Sequence, residues 1–261
     1  MLTGRANLSP LSPFMDDPVG RALGPTRAAA VADLSPGSCA VCPVRTDALC
    51  AALEMPNELA MMHRLGRLIE VKRGQTVVSE GNESLVVGNV IEGLLKLSIV
   101  SETGTEQIVG LAYPCDFIGR PFGMHAGHSV TALTDSKLCV FPRRTFDAFA
   151  ETYPHLGQAL LRRTLEDLDR ARHWMVLLAR KSANARVASL LLDMWTRSTP
   201  PVGAPLLLPL SRQQMADLLG VTIETVSRSI RALRDAGIVS VPGGRQLLIC
   251  DVDRLRLLAG S

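Results

Sequence analysis

Hydrophobic residues recur along this chain with two different periods, and the change of period divides it into a β-rich front and a helical back. From about Leu65 to Phe149 the apolar runs are short: Val86-Val87, Leu94 to Val100, Gln107 to Leu111 and Lys137 to Phe141. They alternate with turn signals at Arg73-Gly74, Glu80-Gly81, Glu92-Gly93 and Thr103-Gly104. Several strands at this spacing predict a small barrel or sandwich. No internal repeat is visible. Ahead of them, residues 1–38 are rich in Pro, Gly and Ala with no period, which predicts a flexible arm.

After Pro154 the period becomes helical. Leu161, Thr164, Leu168, Ala171, Met175, Leu178 and Ser182 step by three and four, giving an uncharged seam flanked by Arg163, Glu166, Asp167, Asp169, Arg170 and Arg172. This predicts a long helix over residues 153–182. Its seam packs either on the chain's own β domain or on a second copy. Small and polar residues within a charge-flanked seam favour a parallel homodimer, with Leu161, Leu168, Ala171, Met175 and Leu178 at the interface.

Residues 183–261 carry the sharpest local signature. Ser211 caps a helix from Arg212 to Leu219 that breaks at Gly220, and Thr222 caps a second from Ile223 to about Asp235. Met215, Leu218, Leu219, Val221, Val226, Ile230 and Leu233 can pack the two together. Ile238 to Val241 and Gln246 to Ile249, on either side of Gly243-Gly244, then read as a two-stranded wing. A helix–turn–helix with a wing predicts a double-stranded DNA partner, with the second helix in the major groove. Glu224, Ser227 and Arg228 share one face of its first half: Arg suits a guanine edge, Glu a cytosine amino group, and Ser is permissive.

Charge agrees with that reading. The net charge of the chain is only +3. From Lys181 onward, however, ten Lys/Arg face six Asp/Glu, a net of +4, so the first 180 residues sum to −1. A basic tail on a near-neutral body suits a polyanion. No stretch approaches the ~20 apolar residues of a membrane span, and no secretory h-region opens the chain, which together predict a cytoplasmic address. There is no Gly-rich phosphate loop, metalloprotease motif or nucleophile elbow, so an enzyme is not expected.

Three of the six cysteines fall in twelve residues, Cys39-x2-Cys42-x7-Cys50. Six in 261 residues are too sparse for a disulfide scaffold, and disulfides are rare in the cytosol. Soft thiolates at this spacing point to zinc or an iron–sulfur centre, but three leave a four-coordinate site one ligand short.

Taken together, residues 39–250 resemble the superfamily of the cyclic-AMP receptor protein and the FNR oxygen-responsive regulator. The most specific stretch is Leu218-Leu219-Gly220-Val221-Thr222-Ile223-Glu224-Thr225-Val226-Ser227-Arg228, whose Glu-x2-Ser-Arg pattern matches the FNR branch. The resemblance implies an α+β fold: a cysteine segment with a β-roll sensor domain over 39–152, a dimerisation helix over 153–182, and a winged helix–turn–helix over 183–261. It implies a 4Fe–4S cluster held by Cys39, Cys42, Cys50 and one β-roll cysteine. The family's fourth ligand precedes an apolar-Pro step and a helix. Cys139, with Pro142 and Thr145 to Phe149 behind it, reproduces that context; Cys115 does not, and reads as a small filler. Cys250, at the end of the wing, reads as structural.

The resemblance further implies TTGAT-N4-ATCAA-like palindromes, with Ser211 and Thr222 joining Glu224, Ser227 and Arg228 in the DNA-binding set, and RNA polymerase as a partner. Cyclic AMP is not expected. The pocket's glutamate position has no acid in Phe117 to Gly123, and its arginine position holds His128. The second reading is a structural zinc site on the same four thiolates in a constitutive DNA-binding protein.

Overall fold

The computed structural model describes residues 31–33, 39, 41–198, 206–243 and 246–260. Most of the expected flexible arm therefore lies outside the described residues. The described part corrects the expectation: Val31–Asp33 is a strand, β1, paired antiparallel with β2, Arg67–Val71. Between them come a 3-10 turn at Leu49–Ala52 and helix α1, Pro56–Leu65.

The β domain continues with β3 (Thr76–Val78), β4 (Val86–Glu92), β5 (Leu95–Val100), β6 (Glu106–Ala112), β7 (Phe117–Ile118), β8 (Ser129–Ala132) and β9 (Ser136–Pro142). These close into two facing antiparallel sheets, ordered β1-β2-β9-β4-β7 and β3-β8-β5-β6. The period-2 rule explains how β9 serves two cores at once. Leu138 and Val140 point into the roll with Ile69, Val90, Leu95 and Val130. Cys139 and Phe141 point outward, under Leu49, Leu53, Met62, Phe146, Phe149 and Leu156. The outer face of the first sheet is thus covered by the cysteine segment and the helices that follow. Gly88 makes this close pairing possible, because a Cβ there would meet the Cys139 carbonyl oxygen at 2.4 Å.

Helix α2 (Arg143–Thr152) leads into α3 (Pro154–Arg180), whose 27 residues run about 40 Å. The rest comprises α4 (Ala183–Ser198), β10 (Leu206–Leu207), α5 (Arg212–Leu219), α6 (Ile223–Asp235), β11 (Val239–Gly243), β12 (Gln246–Ile249) and α7 (Val252–Ala259). The helix pair and the wing fall where the capping and apolar pattern predicts. Helix α4 and α7 were not anticipated, and β10 makes the wing a three-stranded sheet. Val187, Leu190, Leu191 and Met194 of α4 supply the floor on which α5 and α6 pack. Among the described residues no helix is long and apolar enough to cross a membrane.

One carboxylate joins the three parts. Asp116, at the end of the β6–β7 turn, accepts from Arg197 of α4 at 2.6 Å and from the Tyr113 backbone N–H at 2.9 Å. Arg163 and Arg170 of α3 lie 3.6 and 4.0 Å from it. Arg197 also stacks on the Tyr113 ring, 4.1 Å from its centre. Such a cluster adds little net stability but fixes which surfaces meet.

Candidate metal centre and nucleic-acid interface

Cys39, Cys42 and Cys50 come from the segment ahead of the roll and Cys139 from the middle of β9, yet all four line one cavity. Strand pairing explains the arrival of Cys139: it lies between Leu68 of β2 and Asn89 of β4, on the outward face. Val44, Leu59, Met62 and Phe141 supply apolar walls. Cys115 and Cys250 are not among the lining residues. Cys115 occupies a left-handed turn, φ 76°, with its carbonyl accepting from Arg163. Cys250 is exposed at the end of the wing, where its backbone N–H donates to the Ile238 carbonyl at 2.9 Å.

Burial pushes the Cys50 thiol up to about 12, and the neighbouring Cys39 and Cys42 add to the shift. Cys139 is raised well above the usual thiol range, by burial first and then by Cys50, Cys39 and Cys42. Cys39 is raised too, by burial and by Cys42. These groups therefore stay neutral near pH 7 unless a cation compensates them. Two polar side chains reach the sulfurs. Asn89 Nδ2 donates to Cys50 Sγ at 3.6 Å, and His63 Nδ1 lies 3.3 Å from Cys39 Sγ. Neither was singled out in the sequence. For Asn89 a signal existed, since it interrupts the apolar run Val86 to Ile91. Among the described residues, no three His, Cys, Asp or Glu side chains are drawn together tightly enough to hold a single ion.

The cavity is wired to α3. Arg163 donates to the Asp47 carbonyl at 2.9 Å, in the loop between Cys42 and Cys50, and also to the Cys115 carbonyl. The opposite face of α3 is bare. Leu161, Leu165, Leu168, Met175 and Val176 are between 42% and 69% exposed. That stripe contains three of the expected seam residues, Leu161, Leu168 and Met175. Ala171 is exposed as well and lines a cavity with Arg170 and Trp174, and Leu178 is half-buried. Leu165 and Val176 extend the stripe, because a straight helix drifts against a strict heptad.

At the other end, Ser211 and Gln214 form a reciprocal capping box, with Ser211 Oγ accepting from the Gln214 N–H at 3.1 Å and Gln214 Oε1 from the Ser211 N–H at 2.8 Å. Gly220, φ 60°, ends α5 in the left-handed conformation that favours glycine. Thr222 caps α6 by accepting from the Thr225 N–H at 3.3 Å. Ser211 and Thr222 thus position the helix pair. Glu224, Ser227 and Arg228 are exposed together on the first half of α6. Arg228 donates to Thr225 Oγ1 at 3.2 Å, and Ser227 to the Ile223 carbonyl at 2.9 Å. The Glu224 backbone N–H and the Thr222 hydroxyl hold the Glu224 carboxyl below its usual range. On the buried side, Ser229 donates to Asn184 of α4 at 2.6 Å, pinning α6 to its support.

A Crp-like helix-turn-helix domain model matches residues 185–258, and a cyclic nucleotide-binding domain model matches residues 68–153. The transcriptional activator protein FnrL of Cereibacter sphaeroides is 40% identical over 229 residues, spanning 85% of this chain and 92% of its own. The nitrogen fixation regulation protein FixK of Bradyrhizobium diazoefficiens is 38% identical over 226 residues, 85% and 94% of the two chains. The solved structure of FixK2 from Bradyrhizobium japonicum superposes with a TM-score of 0.70 at 28% identity, covering 75% of this chain and 98% of that one. With a β-roll, a long bare-faced helix and a capped helix pair backed by a wing, the chain belongs to the CRP/FNR family of transcriptional regulators, which bind DNA and are not enzymes.

Proposed function

We propose that this protein is an oxygen-responsive transcriptional regulator of the cytoplasm, binding TTGAT-N4-ATCAA-like sites as a homodimer when a 4Fe–4S cluster is intact. The observation that carries the reading is the meeting of Cys39, Cys42, Cys50 and Cys139 in one cavity, although Cys139 is 89 residues from its nearest partner in sequence. The donor set fits the group: four soft thiolates in an apolar, water-poor enclosure suit an iron–sulfur cluster. A lone tetrahedral zinc, with Zn–S near 2.3 Å, would need its sulfurs about 3.8 Å apart. Iron and acid-labile sulfide content separates the two groups, since the same four thiolates suit either.

When bound, the cluster supplies an oxygen-labile tie between the cysteine segment and β9. The chain's own residues do the rest. Arg163 passes the position of the Asp47 loop to α3, and Asp116 passes that of α3 to α4 through Arg197. The bare stripe of α3 meets its copy, and the dimer holds two α6 helices about 34 Å apart, one turn of DNA. The relatives named as transcriptional activators extend the proposal to recruitment of RNA polymerase.

Protein purified without oxygen should be brown, contain about four iron and four sulfide per chain, and footprint the palindrome; exposure to air should bleach it and erase the footprint. A colourless protein that footprints equally in air would instead support the structural zinc reading. Placing one charge in the stripe, Leu165→Glu, should raise the dimer dissociation constant by at least ~100-fold, since two carboxylates would be desolvated face to face. Sedimentation measures this, and an unchanged dimer would move the interface elsewhere.

A further inference from the structure

We propose that Asn89 is a positioning residue for the cluster, its side-chain amide donating to the Cys50 sulfur and so setting the cluster's reduction potential and resistance to oxygen. This rests on the four-cysteine assignment above. Asn89 is only 2% exposed and stands on the interior strand β4, directly opposite Cys139 on β9. The outward face of this sheet is otherwise apolar here, with Val87 and Phe141 packed on Phe146. A buried amide is costly unless it is hydrogen-bonded. Yet among the described residues Asn89 Oδ1 has no partner, and Nδ2 reaches only Cys50 Sγ, at 3.6 Å. A neutral thiol is a weak acceptor and compensates that amide poorly. A thiolate bound to iron is a strong one. The residue therefore suits the loaded site and not the empty fold.

The chemical consequence has a definite sign. A donor on a ligand sulfur withdraws electron density from the cluster and favours its more negative, reduced state, which raises the potential. Without the donor the potential falls, and the first oxidation by oxygen becomes easier. His63 beside Cys39 stands in the same relation to a second sulfur, but it is only half-buried, and the tautomer sets which way its bond runs.

The test uses the full chain, reconstituted anaerobically with ferrous iron and sulfide, as parent, Asn89→Leu and Asn89→Val. Both variants remove the donor without adding a charge or a hydroxyl, and the second is β-branched, which suits a strand. Both should take up iron and sulfide like the parent, because all four thiolates remain. Both should show a more negative potential, and their visible absorption should decay in air on the order of three- to ten-fold faster, the factor that one hydrogen bond's net worth supplies. Cluster-free Asn89→Leu should melt no lower than the cluster-free parent, since it loses only an ill-satisfied amide. If Asn89→Leu fails to load, the potential and decay of Asn89→Val decide. Parental potential and decay in a loaded variant would overturn the proposal and leave the cluster assignment standing. A much lower melting point for the cluster-free Asn89→Leu would make Asn89 a folding residue and count against it. If the parent itself takes up no iron and sulfide, the functional reading fails first and takes this inference with it.

Discussion

Cys139→Ala should abolish cluster assembly and, with it, the difference between aerobic and anaerobic DNA binding, whereas Cys115→Ala should leave both nearly intact. The reason is count and place. A cluster that takes four thiolates cannot be held by three, and the cavity that gathers Cys39, Cys42 and Cys50 is walled on its fourth side by Cys139. Removing one buried sulfur costs about 1 kcal/mol of packing, too little to unfold the roll, so loss of loading would report ligation rather than collapse. Cys115 holds its place through a backbone carbonyl bonded to Arg163, a contact that alanine retains. Its left-handed φ is no better suited to cysteine than to alanine. Iron content and the anaerobic visible spectrum of the two variants check this. A bleached Cys115→Ala beside a brown Cys139→Ala would reverse the ligand assignment and require the cysteine segment to pack differently.

The parts of this architecture that follow local rules were legible in the chain, and those that depend on distant pairing were not. The α5–α6 pair is bounded by capping residues and a glycine that act within three or four positions, so Ser211, Gly220 and Thr222 mark it almost to the residue. The strands of the roll announce themselves by alternation between turn signals. Helix α4 has the helical apolar spacing Val187, Leu190, Leu191, Met194 and a cap, Ser182, whose hydroxyl accepts from the Ala185 N–H at 3.3 Å, but in the sequence Ser182 also reads as the last residue of the α3 seam. Strand β1 is three residues long and exists only because β2 offers an edge. The cysteine site divides the same way. The Cys39 to Cys50 spacing is local and visible. The partnership of Cys139 with that segment depends on the β2–β9–β4 register, so it was reached through family resemblance and not through spacing. Asn89 was missed because one polar residue in an apolar run acquires meaning only when its cross-strand neighbour is known. On α3 the period was legible and Leu161, Leu168 and Met175 of the expected seam are exposed; Leu165 and Val176 join them opposite the buried Leu156, Leu160 and Leu177.

Arg228→Ala should cost about 1–3 kcal/mol on the cognate palindrome, the usual value of a bidentate guanine contact. The geometry favours base readout. Arg228 projects from the exposed half of α6 nearest its N-terminus, on the face shared with Glu224 and Ser227. Among the described residues its guanidinium makes one hydrogen bond, to the Thr225 hydroxyl. That bond aims the side chain without neutralising it, so little must be broken when DNA arrives. Selectivity at the contacted guanine should relax, and non-specific binding should change less. A phosphate contact behaves otherwise, weakening every sequence alike and reducing the salt slope by about one unit. Glu224 should act mainly through discrimination: its carboxyl stays ionised, repels phosphate, and gains only where a cytosine amino group meets it. Affinities for matched and singly substituted sites at fixed salt decide between the two roles. A uniform loss across all sites would make Arg228 a backbone anchor and shift base reading to other residues of α6.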